Sequence, residues 1–345
     1  MHTVPYTPRE GTARGDRVVE LMRQPAELRD AAWVRDALQQ AVLLELATLP
    51  PYLCGMWSVD EPGSPPALGT LRTIVFDEMS HLGLACNLLT TTGGTPRLAD
   101  EALVPRYPGP LPGGVRPELT VYLSGLTADS VKMYASIEKP DTPVTRSARE
   151  SFTSIGAFYT AILEALRADP GLITGARQVS RDMAHHGSGN TLTPLTTLAE
   201  AEAAITVIKE QGEGTSTSPE NPHPGSGGEL AHYYAFMELV DGRVPLPAAF
   251  PMGVVPEGGW PRTGPDAPAP PVTALLDKSN RAYSDLLRTL EEVWSQDDPA
   301  QAADLLGEAE VKMFTLRSPA RDLMRRPLPD GSGKNYGPEF RYTPP

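Results

Sequence analysis

Apolar residues recur along this chain at helical spacing, and the strict alternation of a strand is almost absent. The first strong pattern predicts a helix from about Pro25 to Leu49. Ala37, Leu38, Ala41, Val42, Leu46 and Leu49 share one face, and Pro50-Pro51 is expected to stop it. A second helix is predicted from about Ala67 to Thr91, ending at Gly93-Gly94. Residues 95–147 are rich in proline and hold one short β-like stretch, Leu119–Leu123, so they read as a long ordered loop. Further helices are predicted at about Ala148–Ala168, Thr197–Gly212, Gly228–Val240, Val272–Trp294 and Pro299–Arg325. The expected class is all-α: a single domain over 1–345, with a bundle core at about 28–245, a loop insertion at 95–147 and a helical extension at 272–326.

Composition narrows the function. The 345 residues carry a formal charge of −13, which disfavours binding to a phosphate backbone or an anionic membrane surface. Aromatics make up 6%, too few for a base-stacking platform to be expected. The expectation is no nucleic-acid and no membrane partner. Two cysteines, Cys54 and Cys86, can build neither a disulfide framework nor a thiolate zinc site. The N-terminus shows no signal-peptide pattern and no apolar run reaches membrane-spanning length, so the expected location is the cytoplasm.

Against this background the acidic and histidine residues on apolar helices stand out. Glu45 lies on the apolar face with Ala41, Val42 and Leu49. Burying an unpaired carboxylate costs several kcal/mol, so a proton, cation or metal is its expected partner. Glu78 and His81 form Glu-x-x-His, and Glu229 and His232 repeat it. At i and i+3 on a helix, both side chains can reach one ion. Two further acid-x-x-His pairs, Asp182–His185 and Glu220–His223, lie in polar or Pro-containing context and read as surface pairs. Between the two retained pairs, a helix ends in Glu210-Gln-Gly-Glu213-Gly. Its stripe of Ala203 and Val207 favours Glu210 facing inward, while a distorted last turn would bring Glu213 in instead. Glu, Glu-x-x-His, Glu, Glu-x-x-His along four helices is the inventory of a dinuclear carboxylate site in a four-helix bundle. Oxygen-rich ligands with two imidazoles suit iron or manganese.

These same residues carry a family resemblance. Glu45–Tyr52 (Glu-Leu-Ala-Thr-Leu-Pro-Pro-Tyr), Glu78–His81, Pro105–Pro112, Glu210–Gly214, Glu229–Tyr234 and the closing Gly337–Tyr342 resemble the ferritin-like domain of the iminophenyl-pyruvate dimer synthase group of violacein- and rebeccamycin-type pathways. The resemblance implies a stand-alone ferritin-like protein with a di-iron centre, manganese or a mixed pair being admissible. It also implies O₂ as co-substrate and a small, amino-acid-derived substrate of secondary metabolism. In that picture Glu45, Glu78, His81, Glu210 or Glu213, Glu229 and His232 are ligands. Tyr52 and Tyr233 are candidates for hydrogen bonds to ligands or substrate, and Arg106 for a substrate carboxylate. His185-His186 is a weaker acid–base candidate. Metal storage and a metal-free scaffold are the alternatives. A homodimer is left open.

Overall fold

The computed structural model describes residues 15–140, 154–182, 191–215, 218–222 and 229–345. Among these, nine helices account for the architecture: α1 (Arg17–Met22), α2 (Ala31–Ser58), α3 (Pro66–Thr91), α4 (Ala128–Ile137), α5 (Ile155–Ala168), α6 (Leu198–Glu213), α7 (His232–Val240), α8 (Pro270–Val293) and α9 (Pro299–Met324). The described β structure is one two-residue antiparallel ladder, β1 (Arg181–Asp182) and β2 (Thr191–Leu192), with Arg181 opposite Leu192. The class is all-α. No helix among the described residues is long and apolar enough to cross a membrane.

The helices pack in pairs: α2 with α3, α4 with α7, α5 with α6, and α8 with α9. The α2–α3 pair lies at the centre. Every residue from Gln40 to Gly55 is buried, as expected of a helix apolar on nearly all sides. α4 and α5–α7 pack around the pair, and α9 also contacts α2.

α2 departs most clearly from the sequence expectation. It runs through Pro50-Pro51 to Ser58 rather than stopping there. Pro51 has no N–H for the Ala47 carbonyl four residues earlier. That carbonyl instead accepts the Tyr107 hydroxyl at 2.8 Å, and the Pro51 carbonyl accepts the Tyr134 hydroxyl at 2.8 Å. Two tyrosines from outside the helix thus satisfy buried carbonyls at the proline step. The packing there is tight: a Cβ on Gly55 would lie 2.7 Å from the Tyr134 hydroxyl.

The segment read as a loop over 95–147 also contains α4. Thr127 caps it, accepting from the Ser130 N–H while the Ser130 hydroxyl accepts from the Thr127 N–H. In place of a strand at Leu119–Leu123 there is a single bridge between Gly109 and Val121. α7 begins at His232, four residues later than expected, leaving Glu229 in the extended segment before it. Expectations placed on residues 148–153, His185, His186 and His223 fall outside the described residues.

The C-terminal segment is anchored by a buried carboxylate. Glu339 receives the Trp260 N–H at 2.6 Å, Asn280 Nδ2 at 2.7 Å and Arg262 Nη2 at 2.7 Å. Both cysteines are buried, and burial pushes both thiols up, so neither is a ready nucleophile.

Candidate metal centre

Two groups of side chains on the inner faces of the bundle bring potential ligand atoms together. Glu45, Glu78 and His81 form one, and Glu78, Glu138 and His232 form the other. All five residues are buried, and Glu78 belongs to both groups. Its Oε1 lies 3.2 Å from His81 Nδ1 and 3.0 Å from His232 Nδ1. Glu45 Oε2 lies 3.9 Å from His81 Nδ1, and Glu138 Oε2 lies 3.8 Å from His232 Nδ1. One carboxylate oxygen therefore sits between two imidazoles, with a second carboxylate beside each ring.

Helix geometry explains half of this arrangement. Glu78 and His81 are one turn apart on α3, and Glu45 comes from the neighbouring α2. His232 is the first residue of α7, and Glu138 follows the last residue of α4, the helix packed against α7.

The outward-facing atoms of these residues are engaged as well. Tyr159 on α5 donates to Glu45 Oε1 at 2.6 Å, and Tyr52 on α2 donates to Glu138 Oε1 at 2.5 Å. The Thr48 hydroxyl lies 2.6 Å from Glu78 Oε2. His81 Nε2 lies 2.7 Å from Gln211 Oε1, and His232 Nε2 lies 3.1 Å from Asp77 Oδ2. Gln Oε1 and a carboxylate oxygen are acceptors, so each Nε2 carries the hydrogen. Once its second proton leaves, each Nδ1 presents a lone pair to the centre. A metal-binding histidine needs that tautomer and that kind of outer partner.

A small cavity of about 20 Å³ opens beside the first group, enough for one water-sized guest. Ile137, Ile155 and Ile208 form its apolar wall, and Glu45, Glu78, Glu138 and Glu213 line it. Glu213 ends α6, where its Oε1 accepts the Gly156 N–H at 3.1 Å. The left-handed backbone of Gly214 (φ 76°) terminates the helix after it. A Cβ on Gly156 would fall 2.6 Å from Glu213 Oε2, so any larger residue there would have to push that carboxylate aside. Lys209 also lines the cavity, and its Nζ donates to Thr160 at 2.8 Å.

Without a cation, protons balance the charge. Burial, helped by the Glu78 charge, pushes the Glu45 carboxyl up to about 8. Burial opposes ionisation of Glu78 too, but hydrogen bonds from His232 and His81 outweigh it and hold that carboxyl well below the usual range. Burial opposes charging of His81, yet Glu78 and Glu45 raise the imidazole to about 9. His232 is likewise raised, by Asp77, Glu138 and Glu78 against burial. Tyr52 and Tyr159 are raised well above the usual phenol range, first by burial and then by Glu138 and Glu45 respectively, so both remain donors.

The sequence-based candidates separate clearly. Glu45, Glu78, His81 and His232 come together, and Tyr52 touches the centre through Glu138. Glu213 lines the cavity, whereas half-buried Glu210 does not. Glu229 is in neither ligand group; its carbonyl accepts the Asn221 N–H at 2.8 Å. Arg106 is exposed and hydrogen-bonds to Glu101. Tyr233 packs edge-on against Tyr234 in a shallow groove with Lys132 and Lys139. Sequence reasoning missed Glu138, Asp77 and Gln211. Val131, Tyr134, Ala135 and Glu138 keep i, i+3, i+4, i+7 spacing, the signal by which Glu138 could have been found.

The fold agrees with the comparisons. A family model described as ferritin-like matches residues 38–241, and the chain belongs to that family. The structure is similar to the crystal structure of a ferritin-like protein from Caulobacter vibrioides, with a TM-score of 0.62 and 21% identity. The alignment covers 90% of this chain and 97% of that one. No curated protein sequence matches the chain.

Proposed function

We propose that this chain is a dinuclear non-haem metal oxidoreductase, most consistent with iron, that uses O₂ to oxidise a small organic substrate. The observation that carries this reading is the Glu78 oxygen held between His81 Nδ1 and His232 Nδ1, with both Nε2 atoms tied elsewhere. The donor set fits two divalent cations: hard carboxylate oxygens, two imidazoles, and negative charge to offset the metals. Glu45 and His81 would hold one ion, Glu138 and His232 the other, with Glu78 shared. Glu213 is placed to add a carboxylate from the cavity side.

When bound, such a metal pair supplies two-electron exchange with O₂. The chain's own residues do the rest. Gln211 and Asp77 hold a proton on each Nε2. Tyr159, Tyr52 and Thr48 each fix one carboxylate oxygen so that its partner oxygen faces inward. Ile137, Ile155 and Ile208 keep bulk water from the carboxylates. The resemblance of the motif strings to iminophenyl-pyruvate dimer synthases supports an amino-acid-derived substrate from secondary metabolism.

The test is metal analysis after anaerobic loading with Fe(II), followed by O₂ uptake by the reduced protein. About two ions per chain and stoichiometric O₂ consumption are expected. Iron accumulation far beyond the ligand set would instead indicate storage. Absence of binding would leave a metal-free scaffold.

A further inference from the structure

The helices that carry the centre present a different face to α8 and α9. On α2, Glu45, Thr48 and Tyr52 turn to the centre, while Leu46, Leu49 and Leu53 turn to a cavity against the C-terminal pair. On α3, Met79 and Leu82 line that cavity, next in sequence to Glu78 and His81. The inner chamber measures about 90 Å³, and its wall is almost wholly apolar, with Trp57, Tyr283 and Trp294 contributing rings. A wider chamber of about 380 Å³ adjoins it and shares Leu53, Trp57, Met79, Glu310 and Met313. Together they reach the size of a small-ligand site.

The polar groups of this space are few and unevenly distributed. Where the two chambers meet, Arg181 holds Glu310 in a two-pronged ion pair, with Nε to Oε1 at 2.7 Å and Nη2 to Oε2 at 2.5 Å. Glu310 is therefore neutralised. At the outer end stand Arg72 of α3 and Arg317 of α9, both exposed. Neither makes an ion pair with a carboxylate among the described residues, although the chain carries a net −13. Arg321 and Arg325, one and two helical turns further on, pair with Asp60 and Asp322 and so leave the mouth to Arg72 and Arg317. The arrangement is an apolar pocket with guanidinium groups at its mouth. Guanidinium groups match a carboxylate in geometry as well as charge.

We propose that this cavity is a binding site for a small single-chain carboxylic acid, its apolar tail between α2, α3 and α9 and its carboxylate at Arg72 and Arg317. The site is separate from the metal centre and does not depend on the function proposed for it.

Decanoate is the probe, titrated into the full chain with Trp57 and Trp294 fluorescence and calorimetry as readouts. Saturable binding is expected, with decanol binding at least tenfold more weakly. Arg72→Gln combined with Arg317→Gln should remove the preference for decanoate over decanol while leaving decanol affinity unchanged. Met313→Trp should fill the shared wall and abolish both. Each variant is checked for an unchanged helical circular-dichroism spectrum and unfolding temperature, and Met313→Phe serves where the larger ring prevents folding. Equal affinity for acid and alcohol, unchanged decanoate binding in the filled variants, or no binding at all would overturn the proposal. So would capture by phosphatidylglycerol vesicles in the absence of decanoate binding, since that indicates a lipid surface rather than a free acid.

Discussion

His81 and His232 come from different helix pairs, yet their rings lie 5.6 Å apart at 30° and both Nδ1 atoms converge on one oxygen of Glu78. Coupled in this way, the two half-sites depend on a single carboxylate. Glu78→Gln keeps the volume but removes the shared negative charge, so both ions should be lost together. Metal analysis of the anaerobically loaded variant should show near-zero occupancy. One ion retained at wild-type affinity would mean that the half-sites are independent.

Gln211 and Asp77 fix the imidazoles through their far nitrogens, at 2.7 Å and 3.1 Å. Gln211→Leu and Asp77→Ala should each lower metal affinity by about 10–100-fold, the usual effect of losing such an outer partner. Competition with a chromophoric chelator measures this. An effect confined to folding stability, with affinity intact, would reduce both residues to structural roles.

The proton balance gives a pH dependence with a definite sign. In the metal-free protein Glu45 titrates at about 8 against an ordinary 4.5, and His81 at about 9 against 6.5. Both folded values are raised, so the folded state holds more protons than the unfolded chain across that range. This contribution to metal-free stability is fully present below the ordinary values and is lost as pH rises through 8 and 9. Glu78, held low, slopes the other way, but only below its ordinary 4.5. Metal requires deprotonated ligands and releases these protons on binding. The stabilisation by saturating metal should therefore grow from about pH 5 to about pH 9. Paired unfolding curves with and without metal, and acid release in weak buffer, test it. A difference constant with pH would contradict the assignment.

Tyr107 is expected to matter for stability rather than chemistry. Its hydroxyl fills the carbonyl that Pro51 leaves free on Ala47. Tyr107→Phe keeps the ring and strands a buried acceptor, at a cost of about 1–3 kcal/mol. Urea denaturation should show a lower midpoint with an unchanged slope. No change in midpoint would mean that the α2 proline step needs no external donor.

That pair also shows where sequence reading stops. Tertiary hydrogen bonds allow a helix to pass through Pro50-Pro51, and nothing local announces them. Glu45, Glu78 and His81 were legible because charge on an apolar helical face needs a partner, and i, i+3 spacing is intrinsic to the helix. Glu138 was hidden because the prolines around α4 masked its periodicity. Glu229 stood out through the same Glu-x-x-His spacing as Glu78 and His81, but that spacing has meaning only inside a helix, and α7 starts at His232.

The choice between Glu210 and Glu213 offers a test at a distance from the carboxylates. Gly156 donates its N–H to Glu213, and a methyl group there would sit 2.6 Å from Glu213 Oε2. Gly156→Ala must therefore displace the Glu213 carboxylate while leaving every other ligand chemically intact. In a helix, alanine is intrinsically favoured over glycine by about 1 kcal/mol, which opposes any general loss of stability. If Glu213 completes the centre, the variant should load metal more weakly than wild type, and Glu213→Gln should reproduce the deficit. Glu210→Gln should load normally, because Glu210 is not among the residues lining the cavity. A deficit in Glu210→Gln with normal loading in both other variants would reverse the assignment.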